Sequence, residues 1–372
     1  MKEFQEKVKK FLDNYNIVGS NIIVANKNDI IASLTYGYES IEKNKETSLN
    51  TIYRIASISK VIVAIGVMKL VEAGKIDLKA DISRYLGFQL RNPHFPSDII
   101  TTEMIMTQSS SISDYGEGMS GYDAVNQFDD EVLLGDLLAN PKSKYYTEKT
   151  FINHKPGTYW RYSNLGCGIL ACLIEKVSGR YFTDYIKEEL LYPLDIQSGF
   201  RLEDIKNIDN LAGHYLYEDG KFILYRDYEK FKKVQCLRYS LGNNFRGVAG
   251  GLYISILDLC KIMQMLMNNG IYKNVRILKE ETVKEMKKIH WDGQTEDPTY
   301  YKKGLQMIIL DQFTKKPLMG HFGNAYGLRS FMLFNEDIGY IFLCNGANFL
   351  TDEEHMTRLQ KELIEFLVSL NL

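Results

Sequence analysis

Three short motifs stand in order along the chain: Ser57-Ile58-Ser59-Lys60, Tyr162-Ser163-Asn164 and His321-Phe322-Gly323. The first sets a hydroxyl and an amine one helical turn apart, within reach of each other on one face. The second puts a phenol and an amide on one tight loop, and the third is a strand whose Gly323 lets a substrate backbone come close. Together they offer a nucleophile, two candidate bases and an oxyanion binder, which is what an acyl transfer needs. The same outlines recur elsewhere: Ser40-Ile41-Glu42-Lys43, Tyr272-Lys273-Asn274, Lys155-Pro156-Gly157 and Lys302-Lys303-Gly304. Their settings must separate the chemistry from the coincidences.

Ser57 follows the strand-like Thr51-Ile52-Tyr53-Arg54-Ile55 and precedes Val61-Ile62-Val63-Ala64-Ile65-Gly66-Val67-Met68, a helix apolar on every side and therefore buried. At the amino end of that helix, free backbone N–H groups and the helix dipole favour developing negative charge. A lysine there loses hydration, which favours the neutral amine that acts as a base. Ser40, by contrast, leads into the polar Asn44-Lys45-Glu46. The plain alternatives are a helix cap for Ser57, a solvated Lys60, a packed turn aromatic for Tyr162 and a core histidine for His321.

The elements that must hold these motifs divide by position. Residues 2–15 read as a helix, and alternation around Asn26-Lys27-Asn28-Asp29 gives strands near 20–26 and 30–38. Near the other end, 304–310, 318–322, 328–334 and 339–344 read as short strands, and a last helix spans 352–370, capped by Thr351. Between them lie helical patterns at 61–73, 101–107, 130–139, 165–177, 182–190 and 256–268. The expected fold class is α/β in the α+β sense: an antiparallel sheet built from both chain ends, flanked by terminal helices and interrupted by a helical insertion. This predicts a sheet domain of 1–60 with 246–372, an inserted domain of 61–245, and a ligand cleft between them.

The text around the motifs resembles one family. Ile100 to Tyr115 is similar to its stretch ending in Leu-Leu-Thr-His-Thr-Ser-Gly, and Lys155-Pro156-Gly157-Thr158-Tyr159-Trp160-Arg161-Tyr162-Ser163-Asn164 to its Pro-Gly...Tyr-Ser-Asn segment. Ile174 to Gly179, Tyr192 to Ile196, and Ala249-Gly250-Gly251-Leu252 with Ser255 and Asp258 follow in the same order. The family is the serine β-lactamases and penicillin-binding proteins, in the class C β-lactamase-like branch with its D-amino-acid peptidases, carboxylesterases and D-alanyl-D-alanine carboxypeptidases. The resemblance runs from the first hairpin to the final helix.

It implies that Ser57 is acylated, that Lys60 and Tyr162 share the proton transfers, and that Asn164 hydrogen-bonds the substrate amide or Lys60. It further implies an oxyanion hole made by the backbone N–H groups of Ser57 and Asn324, the residue after Gly323. His321 departs from the usual Lys-Thr-Gly, and a histidine lacks a lysine's fixed charge. That favours a peptidase or esterase over an efficient β-lactamase. Gln108, Ser111, Asp195 and Asn324 also depart, standing for His, Gly, Gly and the common Gly.

Composition sets the outer bounds. With 45 basic and 47 acidic residues in 372, the chain has no electrostatic footprint for nucleic acid. Five cysteines, Cys167, Cys172, Cys236, Cys260 and Cys344, sit mostly in apolar surroundings and read as buried thiols; with six scattered histidines they give no metal-ligand spacing. No cofactor or metal is expected, and the expected partner is a small molecule or short peptide. No apolar run approaches the roughly 20 residues of a membrane span. The first residues carry no export signal, so the chain as read is expected in the cytoplasm, or outside it if a leader has been removed. Two rivals remain: a binding or sensor protein that acylates without fast release, and a Ser-His-Asp hydrolase, for which no Gly-x-Ser-x-Gly elbow exists.

Overall fold

The computed structural model describes residues 2–226, 238–295, 297–348 and 356–372. Nine strands form one sheet in the order Trp291–Asp292, Lys302–Gly304, Met307–Leu310, Leu318–Ala325, Leu328–Phe334, Gly339–Cys344, Gly19–Ala25, Ile30–Ser40 and Lys45–Glu46. Neighbours run antiparallel, and the junction of the two chain ends is the pairing of Ser20 to Ala25 with Cys344 to Gly339. The expected sheet from both ends is therefore the observed one.

Both faces of this sheet are covered, and successive residues serve different cores. Ile22 and Val24 face the terminal helices Lys2–Leu12 and Arg358–Ser369, packing with Phe4, Val8, Leu12, Leu363 and Leu367. Ile23, Met332, Ile341 and Leu343 face the other way, against the helix Ile256–Met267 and the helical half of the chain. At the centre of that half, the helices Ser59–Glu72 and Asn164–Ser178 are packed together and buried nearly all round.

Several expected boundaries move. The span 304–310 is not one strand but two, Lys302–Gly304 and Met307–Leu310, because Gln306 adopts φ +55° in a tight turn. The first helix stops at Leu12. Segment 130–139 is helical only over Leu134–Leu138, and 182–190 changes to a π turn after Ile186. Thr351 lies outside the described residues, as does Cys236. The last helix is capped instead by Thr357, whose side chain accepts from Gln360 N while Gln360 Oε1 accepts from Thr357 N. The other four cysteines are buried free thiols. No helix among the described residues is long and apolar enough to cross a membrane.

Candidate active site

Ser57 lies in a 3-10 turn, Ala56–Ile58, between the short strand Ile52–Arg54 and the helix Ser59–Glu72. Ala56 holds φ +47°, a conformation that costs an L-residue roughly 1–2 kcal/mol. The turn is fastened from several sides. Ser59 Oγ donates to Ala56 O at 2.7 Å, Ile55 N donates to Leu252 O at 3.0 Å, and Ser330 Oγ donates to Ile55 O at 3.2 Å.

Gly323 explains how the turn meets the sheet. A Cβ there would stand 2.4 Å from Ile55 O and 2.2 Å from Ser330 Oγ. The close approach Gly323 permits is thus that of the Ser57 turn, where the sequence had suggested a substrate backbone. It brings Asn324 to the wall of the Ser57 cleft. The Asn324 side chain accepts from Gln360 Nε2 at 2.8 Å, so the last helix steadies this strand end.

Lys60 is fully buried, and its Nζ donates to Ser57 Oγ at 3.0 Å, Tyr162 OH at 2.7 Å, Asn164 Oδ1 at 2.8 Å and Ala249 O at 3.2 Å. Tyr162 OH donates in turn to Ser57 Oγ at 2.7 Å. Lys60, three residues on, and Tyr162, 105 residues on, therefore close a triangle with Ser57. Each can accept its proton.

A residue with no role assigned from the sequence holds this arrangement. The Asp114 carboxylate accepts from Asn164 Nδ2 at 2.8 Å, Asn164 N at 2.7 Å, Leu165 N at 2.8 Å and Ser163 Oγ at 2.9 Å. By binding the amide NH2 it turns Asn164 Oδ1 toward Lys60. It also satisfies backbone donors at the start of Asn164–Ser178, where a negative charge is favourable. Asp114 stands inside the motif-bearing stretch 100–115, but only the folded chain carries it to a helix that begins 50 residues later.

The cleft over Ser57 holds about 490 Å³, with Arg54, Asp123, Tyr162, Asn164, Asn324 and Tyr326 in its wall. Arg54 is anchored through Nε to Gly250 O at 2.7 Å. The tyrosine-rich hairpin His214–Glu218 and Lys221–Arg226 reaches the rim through Tyr225, which stacks on Tyr326 at 5.3 Å. His321 is buried behind Tyr162, ring centroids 6.5 Å apart, with Nδ1 2.6 Å from Phe322 O. It does not form part of the cleft wall. Gln108, Ser111 and Asp195 all keep left-handed backbone, at φ +61°, +67° and +53°. The departures Ser111 and Asp195 therefore preserve a conformation that glycine adopts at less cost.

The repeated outlines are placed elsewhere. Ser40 ends a sheet strand, Tyr272-Lys273-Asn274 forms a hairpin turn, and Lys155 pairs with Asp98 at 3.1 Å.

A sequence model of the family described as Beta-lactamase matches residues 4–365. The chain belongs to the Beta-lactamase family. Among curated members, it is 30% identical over 206 residues to penicillin-binding protein 4* of Bacillus subtilis (strain 168), covering 53% of this chain and 42% of that protein. Protein flp of Staphylococcus aureus (strain MRSA252) is 26% identical over 209 residues, 55% of this chain and 39% of that protein. The match thus spans about two fifths of these relatives' length. Among solved structures, the D-amino acid amidase from Ochrobactrum anthropi SV3 is similar with TM-score 0.74 at 16% identity, over 100% of this chain and 98% of that one. The octameric penicillin-binding protein homologue from Pyrococcus abyssi gives 0.72 at 24%, over 93% and 73%. The hydrolase EstCE1 gives 0.73 at 20%, over 99% and 98%. The β-lactamase-type fold is common to all of them.

Proposed function

We propose that the protein is a serine hydrolase that works through an acyl-enzyme on an amide or ester, its substrates being D-amino-acid peptides, carboxylesters or β-lactam-like compounds. The observation that carries this reading is the mutual hydrogen bonding of Ser57, Lys60 and Tyr162, with Asn164 fixed by Asp114. Ser57 Oγ attacks the carbonyl carbon, and its proton passes to the Tyr162–Lys60 pair. The negative oxygen that forms is held by the N–H groups of Ser57 and Asn324. As the carbonyl–nitrogen or carbonyl–oxygen bond breaks, the same pair returns the proton to the leaving group. Water then repeats the sequence on the acyl-enzyme.

His321 in place of the motif lysine supports a peptidase or esterase over an efficient β-lactamase. The named activities of the amidase and of EstCE1 point the same way. A slowly deacylating penicillin- or peptidoglycan-binding protein is the alternative, in keeping with penicillin-binding protein 4* among the relatives. Steady-state hydrolysis of a p-nitrophenyl ester, a D-alanyl amide and benzylpenicillin separates the two. The hydrolase reading expects turnover of ester or amide that exceeds penicillin turnover and vanishes in Ser57→Ala; one equivalent of product followed by arrest would favour the binder.

A further inference from the structure

Behind Tyr162 lies a cation that this mechanism leaves unused. Lys303, on the strand Lys302–Gly304, is fully buried, and its Nζ has no hydrogen-bond acceptor and no carboxylate partner among the described residues. Its neighbour Lys302 behaves as a surface lysine should, reaching Asp311 at 2.7 Å. A methionine or leucine at Lys303 would fill a core without the cost of an unpaired buried ammonium. What surrounds Lys303 is aromatic: its Nζ lies 5.1 Å from the Tyr300 ring and 5.9 Å from the Trp160 ring.

Those rings connect it to the site. Trp160 and Tyr300 stack at 4.8 Å, and both lie against Tyr162, at 6.2 Å and 6.4 Å. Trp160 and Tyr162 share one loop, so the layer between Lys303 and the reacting hydroxyls is a single packed unit. The titratable groups facing it are Tyr300 on the turn Pro298–Tyr300, Tyr162 on the loop, Lys60 on the nucleophile's helix and His321 beyond Tyr162. Tyr300 is held neutral, its hydroxyl pushed well above the ordinary range by burial, then by Tyr162 and Asp297. The charged group acting on Lys303 is Lys60. Burial first, and repulsion from Lys60 second, lower the Lys303 ammonium to about 7.

We propose that Lys303 is a positioning residue for the proton transfer at Ser57: uncharged, it lets the Tyr162–Lys60 pair gain the positive charge that arrives with the Ser57 proton; charged, it opposes that gain across the Trp160–Tyr300 layer. The proposal rests on the acyl-transfer reading of the site. It gives this chain a removable charge beside its tyrosine, where the Lys-Thr-Gly motif would have supplied a fixed one.

The test is the rate at which a neutral fluorophosphonate labels Ser57, measured from pH 5 to 9. In the wild type the rate should rise through an inflection near 7. In Lys303→Met that inflection should be gone, leaving labelling at pH 6 about tenfold faster than wild type, the factor that one pH unit below the midpoint implies. Lys303→Arg, charged throughout, should stay about tenfold or more below the wild-type plateau at pH 8. A wild-type profile without the inflection, or one unchanged in Lys303→Met, overturns the proposal. The second arm needs no activity and no Lys303 variant. NMR titration of the lysine side chains of the intact protein should find one buried lysine titrating near 7, with its midpoint raised in Lys60→Met. A midpoint that does not move overturns the coupling. If Ser57 is never labelled in any form, the acyl-transfer reading fails instead, and the titration still decides whether the two lysines are coupled.

Discussion

Lys60 makes four hydrogen bonds from one nitrogen, and three of their acceptors belong to Ser57, Tyr162 and Asn164. Removing the phenolic oxygen with Tyr162→Phe leaves Ser57 and Lys60 in place but breaks the proposed proton route to the leaving group. A loss of about 10²–10⁴-fold in kcat/KM on an amide is expected, measured against an activated ester whose leaving group needs no proton and which should lose less. Asp114→Asn replaces an acceptor by a group that also donates, so Asn164 loses its fixed orientation. Activity should fall about 10–100-fold while Ser57 remains labelled by a fluorophosphonate. The residues that meet around Ser57 were legible because each lies in a short motif whose flanking text carries its own signature. Asp114 was not, because its partners start a helix 50 residues away, and nothing local to Ser113-Asp114-Tyr115 announces that contact. Lys303 was hidden more thoroughly: it sits in Lys302-Lys303-Gly304, whose outline matches the third motif by coincidence, on a strand whose beginning the sequence placed two residues too late.

Elements rather than residues determine how the site is held. The strand Leu318–Ala325 docks on the Ser57 turn only because Gly323 has no side chain, so Gly323→Ala must push Ile55–Ala56 away from the sheet. The expected result is a large loss of Ser57 labelling together with a lowered Tm, by differential scanning calorimetry, from overpacking of about 1–3 kcal/mol. The strand Lys302–Gly304 carries a different signature. Because burial lowers the Lys303 ammonium from 10.5 to about 7, the unfolded chain binds more protons than the folded one between those values. Stability should therefore rise with pH across that window, by up to about 1.4 kcal/mol per pH unit, and be least below pH 7, where the folded protein must carry the charge. Urea unfolding at pH 7 and pH 9 checks this: Lys303→Met should be the more stable protein at pH 7 and should show a smaller rise, keeping only what other buried groups such as Lys287, lowered by burial to about 8, contribute. Element types were legible from periodicity, as in the helices Ser59–Glu72 and Ile256–Met267, whereas ends were set by single residues. Gln306 entering the left-handed region split one expected strand into two, and the last helix takes its cap from Thr357 through a reciprocal bond with Gln360.

The whole molecule is organised by the pairing of its ends. The strands Gly19–Ala25 and Gly339–Cys344 lie side by side, so neither terminal region completes the sheet without the other. Leu363, fully buried on the last helix, packs in the same core as Phe4, Val8 and Leu12 of the first. Leu363→Ala should cost about 2–5 kcal/mol in urea unfolding, with fluorophosphonate labelling of Ser57 and circular dichroism lost in one transition, since the strand that carries Asn324 is braced by that helix. The α+β layout was legible at this scale because strand-like text gathers at the chain ends and helical text between them. The central claim is that Ser57 becomes covalently acylated, and the intact mass of the protein tests it most directly, after exposure to a fluorophosphonate, to benzylpenicillin and to a D-alanyl ester, with Ser57→Ala alongside. One adduct per chain, mapped to Ser57 and absent from the variant, with the D-alanyl adduct decaying faster than the penicilloyl one, is the expected result. No adduct with any of the three reagents, or an equal adduct in Ser57→Ala, would contradict it.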